Sequence, residues 1–230
     1  LQKIKSAVLH SKKQLSKMKT LEKNIAERLL RIKAVKLQPK NPFIWASGWK
    51  SPIYCDNRKT LSYPSIRTYI KNAIVHVIME QYPEVEVIAG VATGAIAQGV
   101  LVADELGLPF IYVRSAPKDH GLENLIEGDL KPKQKVVVVE DLVSTGTSSI
   151  KAVEAIRRDG SEVLGMVAIF SYGFSFADEQ FKNAKVKLTT LSNYDAVLTE
   201  ALATNYITDT ELETLREWRL NPAIWNNDKD

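Results

Sequence analysis

The chain has 230 residues, 45% hydrophobic and 25% charged, enough to bury one substantial core. No apolar run approaches the roughly 20 residues of a membrane-spanning helix, and the start lacks the apolar core and cleavage site of a secretory signal. A single cysteine, Cys55, excludes an internal disulfide framework and fits a cytoplasmic location. The net charge of +4 is carried by the first residues: six lysines precede the first acid, Glu22, and the remainder sums to −2. That arm has no aromatic interleaving and no recognisable nucleic-acid module, so no nucleic-acid partner is expected. Three histidines without ligand-like spacing give no zinc site.

In chain order, residues 1–17 read as a basic extension, disordered or appended, with Met18 a natural start and 18–230 a single domain. Leu21, Ile25, Leu29, Ile32 and Val35 recur at three- and four-residue spacing and predict a helix from about Thr20 to Val35. Asn41 to Pro52 reads as short strands and turns, Ile53 to Asp56 as a further strand. Tyr63-Pro64 precedes a helix from about Ser65 to Gln81 with Ile66, Ile70, Ile74 and Ile78 on one face. From Val85 the pattern becomes strand–helix. Val85 to Ala89 is a strand, Gly90-Val91-Ala92-Thr93-Gly94 a turn, Ile96 to Leu106 a helix and Pro109 to Val113 a strand. Arg114 to Lys135 has little periodicity, and a loop of that length inside a compact domain is typically a lid or binding loop. A strand over Val136 to Val139 follows, then a helix through Ile150, Val153 and Ile156. Strands over Val163 to Phe170 and Val186 to Leu191 come next, and helices over Tyr194 to Ala203 and Asp209 to Leu220 close the chain. The alternation predicts an α/β fold with a mainly parallel sheet.

Two segments carry chemistry. Four consecutive valines ending in Glu140-Asp141 read as a central strand buried on both faces, with two carboxylates where it should stop. Leu142-Val143-Ser144-Thr145-Gly146-Thr147-Ser148 then opens a helix, whose N-terminal N–H groups and dipole suit a phosphate. It is neither a Gly-Lys-Ser/Thr phosphate loop nor a G-x-G-x-x-G turn. Carboxylates beside a phosphate cradle need sugar hydroxyls or a metal, and a phosphorylated sugar supplies the hydroxyls. In the long loop, Arg114, Lys118 and His120 place three potential cations within seven positions. Lys118 and His120 face the same way in an extended loop, which suits a polyphosphate.

The strand, acidic pair and Ser/Thr-Gly loop resemble the phosphoribosyl pyrophosphate (PRPP) signature of the type I phosphoribosyltransferases. Arg114-x-x-x-Lys118-x-His120-Gly121 resembles the catalytic loop of their orotate-specific members. Ser47-Gly48-Trp49-Lys50-Ser51-Pro52 resembles the segment forming their hood over the base, here from about residues 20–60, and Gly90 to Gly94 their pyrophosphate loop. The likeness runs from about residue 20 to 203. It implies that family's fold, with transfer from PRPP to orotate and Mg2+ held through PRPP and water rather than by direct protein ligands. It also implies a homodimer whose loop serves the neighbouring site. On this resemblance Glu140 and Asp141 hold the ribose hydroxyls, with Asp141 close to the anomeric centre. Leu142, Val143, Ser144, Thr145, Gly146, Thr147 and Ser148 cradle the 5′-phosphate, and Ser144 also reaches orotate. Arg114, Lys118 and His120 meet the pyrophosphate, Lys118 and His120 as catalytic residues with Asp141.

The chain departs from some members in three places: Ser115 replaces a second loop lysine, Gly94 a lysine, and Tyr172 an arginine near the base. That leaves Lys50 or the hood backbone to meet the orotate carboxylate. Two other readings are a transferase acting on another base, and a PRPP-binding regulator of the same fold that contacts nucleic acid through its basic arm.

Overall fold

The structure is a computed structural model describing residues 2–45, 47–116 and 125–225, with side chains from residue 16 onward. Its first helix, α1 (Gln2–Arg31), begins well before the Thr20 start expected from the spacing. The backbone of residues 2–17 continues this helix, in keeping with a stretch free of Gly and Pro and rich in Lys, Gln and Leu. Ile25, Ala26 and Leu29 are fully buried, where α1 packs on α6 (Tyr194–Ala203) and the edge strand β10 (Leu188–Asn193).

Four short strands follow. β1 (Val35–Leu37) pairs antiparallel with β4 (Ile53–Cys55), and β2 (Phe43–Ile44) with β3 (Lys50–Ser51). A 3₁₀ helix (Asn57–Ser62), not foreseen from the sequence, leads into α2 (Pro64–Gln81). The main sheet has six strands in the order β10-β9-β8-β5-β6-β7. β5 (Val87–Val91), β6 (Phe110–Val113), β8 (Lys135–Val143), β9 (Glu162–Ser171) and β10 run parallel, and β7 (Ile126–Glu127) lies antiparallel at the far edge. Val136 to Val139 are fully buried, as a central parallel strand requires.

The structure changes one boundary that matters. The sequence placed the end of β8 at the acidic pair, yet β8 continues to Val143, because Leu142 and Val143 pair with Phe170 and Ser171 of β9. Helices α3 (Ile96–Leu106), α6 and α7 (Asp209–Leu220) have the bounds that periodicity predicts, and α4 (Thr147–Arg158) begins at the small-residue loop. A further helix, α5 (Ser175–Asn183), was missed. Its signal was present in Phe174, Ala177 and Phe181, which are buried at three- and four-residue spacing.

Candidate active site

In an open parallel sheet, ligands bind beyond the carboxyl ends of the strands. Register brings Val91 of β5 level with Val113 of β6, and Gly90 level with Val139 of β8. The turn after β5, the base of the long loop and the acidic pair therefore share one edge. There Glu140 is only 4% exposed. Its Oε2 accepts from Ser149 Oγ at 2.8 Å and its Oε1 from the Asp141 N–H at 2.9 Å. Burial, with the Asp141 carboxylate alongside, pushes the Glu140 carboxyl well above the usual carboxylate range. Burial also raises Asp141, against bonds from Glu140 and the Leu142 N–H and the charge of Arg58.

Asp141 is held from two sides. The buried Asn57 side chain donates Nδ2–H to the Asp141 carbonyl at 2.6 Å, and Asn57 Oδ1 accepts from the Cys55 thiol at 3.4 Å. On the other side lies the turn after β5, where the Ala92–Thr93 peptide is cis. A Cβ placed on Gly94 would stand 2.1 Å from Asp141 Oδ2. The carboxylate rests on a bare Cα, and a lysine at this position has no room while Asp141 stays where it is.

The loop from Ser144 to Gly146 leads into α4. Gly146 takes φ +83°, a conformation glycine adopts without penalty, and no side chain caps the helix from that position. The first-turn N–H groups of α4 thus face the cleft with only a long contact, 3.4 Å, from Thr145 Oγ1 to the Thr147 N–H. Gln180 of α5 braces the loop by donating to the Thr145 carbonyl at 3.0 Å.

Beside this loop opens a cavity of about 390 Å³ whose walls include Trp45, Trp49, Tyr54, Tyr172, Leu142 and Ser144. Trp45 lies 5.1 Å from Tyr172 between ring centroids, and Trp45 Nε1 donates to the Ile53 carbonyl at 3.2 Å, closing the hood over β4. The described lining residues are aromatic, aliphatic or hydroxylic, together with Cys55, and no cation is among them. Burial pushes the Cys55 thiol and the Tyr172 phenol well up, so both are neutral near pH 7.

Known proteins were compared with this arrangement. The family model for the phosphoribosyl transferase domain matches residues 61–198. An orotate phosphoribosyltransferase of Bacteroides thetaiotaomicron is 67% identical over 212 residues, 92% of this chain and 100% of the relative. One from Porphyromonas gingivalis is 66% identical over 90% of this chain and 99% of its own. The chain belongs to the orotate phosphoribosyltransferase family. Among solved structures, the Aeropyrum pernix orotate phosphoribosyltransferase superposes with TM-score 0.69 at 28% identity, covering 80% of this chain and 99% of that one. Leishmania donovani UMP synthase gives TM-score 0.72 at 25% identity, covering 86% of this chain and 42% of that longer one.

In this orotate phosphoribosyltransferase family member, the described residues that the sequence singled out lie along the carboxyl edge of the sheet. Glu140, Asp141 and the run Leu142 to Ser148 form one continuous edge, and Ser144 joins the loop to the aromatic cavity. Arg114 sits at the base of the long loop. Its N–H donates to the Leu125 carbonyl at 2.8 Å, and its guanidinium lies 3.5 Å from Glu127 Oε1. Lys118 and His120 lie outside the described residues. Tyr172, which stands where the resemblance places an arginine in some members, is 2% exposed and forms a wall of the cavity. Lys50 is not among the described lining residues.

Sequence reasoning missed Asn57, Ser149 and Gln180, which hold the site without a charge or motif to announce them. An Asp-Asn-Arg run and a Ser three residues into a helix carry no signal until the fold supplies their partners.

Proposed function

We propose that this edge of the sheet transfers the 5-phosphoribosyl group of PRPP to orotate, giving orotidine 5′-monophosphate and pyrophosphate. One observation carries the reading: a carboxyl pair stands directly ahead of a helix N-terminus lacking its own side-chain cap, beside an aromatic slot. Asp141 and Glu140 take the ribose hydroxyls, the first turn of α4 takes the 5′-phosphate, and orotate slides between the hood aromatics and Ser144. Arg114, Lys118 and His120 take the pyrophosphate.

Transfer to a pyrimidine nitrogen needs no covalent nucleophile. The barrier falls when charge leaving with pyrophosphate and charge developing on an oxocarbenium-like sugar are both stabilised. Closure of the 114–121 loop would exclude the water that competes for the activated sugar. The carboxyl pair offers hard oxygen donors of the kind Mg2+ prefers, but too few for a protein cage. The ion would be held mainly by PRPP oxygens and water, with Asp141 the carboxylate available to it from the protein. When bound, that ion would neutralise diphosphate charge.

The working form in this reading is a cytoplasmic homodimer, with residues 18–230 as the catalytic unit and 1–17 taking no part. Among the described residues no helix is long and apolar enough to cross a membrane. Pyrophosphate release that requires orotate, followed by loss of orotate absorbance, tests the assignment. Lys118→Ala or His120→Ala should lower turnover by about 100-fold or more. Near-normal rates in both would remove the loop from the mechanism, and release driven by another base but not by orotate would overturn the substrate.

A further inference from the structure

The hairpin β2–β3 carries Trp45 and Trp49 into the aromatic cavity, yet its strands are only two residues long. A two-stranded ribbon of that size is marginal by itself. One of its anchors is α7, which lies beyond the stretch matched by the family model. Trp218 of α7 is fully buried and donates its indole N–H to the Lys50 carbonyl of β3 at 3.1 Å. Its ring stands edge-on to Trp45 at 5.6 Å and to Tyr172 at 5.9 Å, and both of these line the cavity.

α7 is in turn fixed to the body of the fold. Tyr194 Oη donates to the Leu215 carbonyl at 2.8 Å, Arg219 pairs with Asp195 at 2.8 Å, and a complete capping box at Thr208 and Glu211 sets the start of the helix. The hairpin is therefore tied to the C-terminal helix as well as to the Ile53 carbonyl and Tyr172 beneath it.

We propose that Trp218 is a positioning residue for the base, setting the hood hairpin at the spacing that admits a flat pyrimidine ring between Trp45 and the loop at Ser144. The proposal rests on the reading of this cavity as the base site. Trp218 acts through Lys50 and Trp45, and it is not a member of the described cavity wall itself.

Trp218→Phe keeps an aromatic ring in place, removes the indole N–H that reaches Lys50 and leaves the volume of the lost ring unfilled, so a modestly lowered Tm by itself is expected. The variant should raise KM for orotate about five- to tenfold, the scale of one lost hydrogen bond. KM for PRPP and kcat should stay within about twofold of the parent. Ser144→Ala, at the cavity wall, serves as the companion variant. If Ser144→Ala raises orotate KM and Trp218→Phe does not, the positioning role is wrong and the base site stands. If neither moves it, the cavity is not where orotate binds and both readings fall. Equal rises in both substrates' KM with a lowered Tm in Trp218→Phe would mark general loosening, which also overturns the proposal.

Discussion

At the residue scale the site is governed by contacts to Asp141. Gly94 leaves space for its carboxylate, and Asn57 holds its carbonyl. Gly94→Ala should push the carboxylate aside, because a Cβ 2.1 Å from Oδ2 cannot coexist with it. The displaced atoms end a short side chain, so Tm should change little while kcat falls by about 100-fold. Steady-state rates beside a melting curve separate the two effects. Glu140 gives a second residue-scale prediction. Its folded pKa lies above its unfolded value, so the folded state binds the extra proton between the two. The associated stability is present in full below about pH 4.5, the ordinary glutamate range, and is lost as pH rises through the folded value. Burial raises Asp141 too, and it acts with the same sign. Ligand-free Glu140→Gln should therefore lose Tm less steeply than the parent as pH is raised from about 5 to 8. Parallel curves for the two proteins would show that Glu140 is ionised throughout.

At the element scale, the sequence was most legible where periodicity is long and locally determined. α3, α6 and α7 have the predicted bounds. It failed where partners far along the chain decide. β8 runs past its two carboxylates because β9 offers partners to Leu142 and Val143, a pairing no local pattern encodes. The acidic pair is thus displayed on a rigid strand and not on a loose end. α5 is nine residues long and was hidden by its length, though it supplies the Gln180 brace under the loop from Ser144 to Gly146. The Trp218 contact spans 168 residues, so nothing in Trp-Arg-Leu could have assigned it to the hood. The turn from Ser144 to Gly146 was legible as a helix entry because its backbone geometry, with Gly146 at φ +83°, demands small residues in a fixed order. Gln180→Leu tests the brace. Loss of its bond to the Thr145 carbonyl, worth about 1 kcal/mol, should raise KM for PRPP about fivefold and leave orotate KM unchanged. A PRPP KM equal to the parent's would mean that the loop holds its shape unaided.

At the scale of the whole molecule, the parallel sheet gathers segments from residues 57, 94, 141 and 180 into one cleft, and the hood roofs it from above. The cations proposed to meet the pyrophosphate follow β6, one strand beyond β5 from the acidic pair. The proposed sharing of that loop between subunits makes a quantitative prediction. Lys118→Ala and Asp141→Asn should each be nearly inactive alone. In an isologous dimer with a shared loop, a mixed dimer of the two has one cleft with an intact Asp141 served by an intact Lys118 from its partner, and one cleft lacking both. Unfolding and refolding an equimolar mixture makes half the dimers mixed by chance, each with one of two clefts working, so about a quarter of the parent activity should return. If instead each loop closed over its own cleft, every cleft in the mixed dimer would lack one of the two groups and no activity would return. Recovery near a quarter would require both a dimer and the exchange of loops, because neither alone can bring Lys118 of one chain to Asp141 of the other.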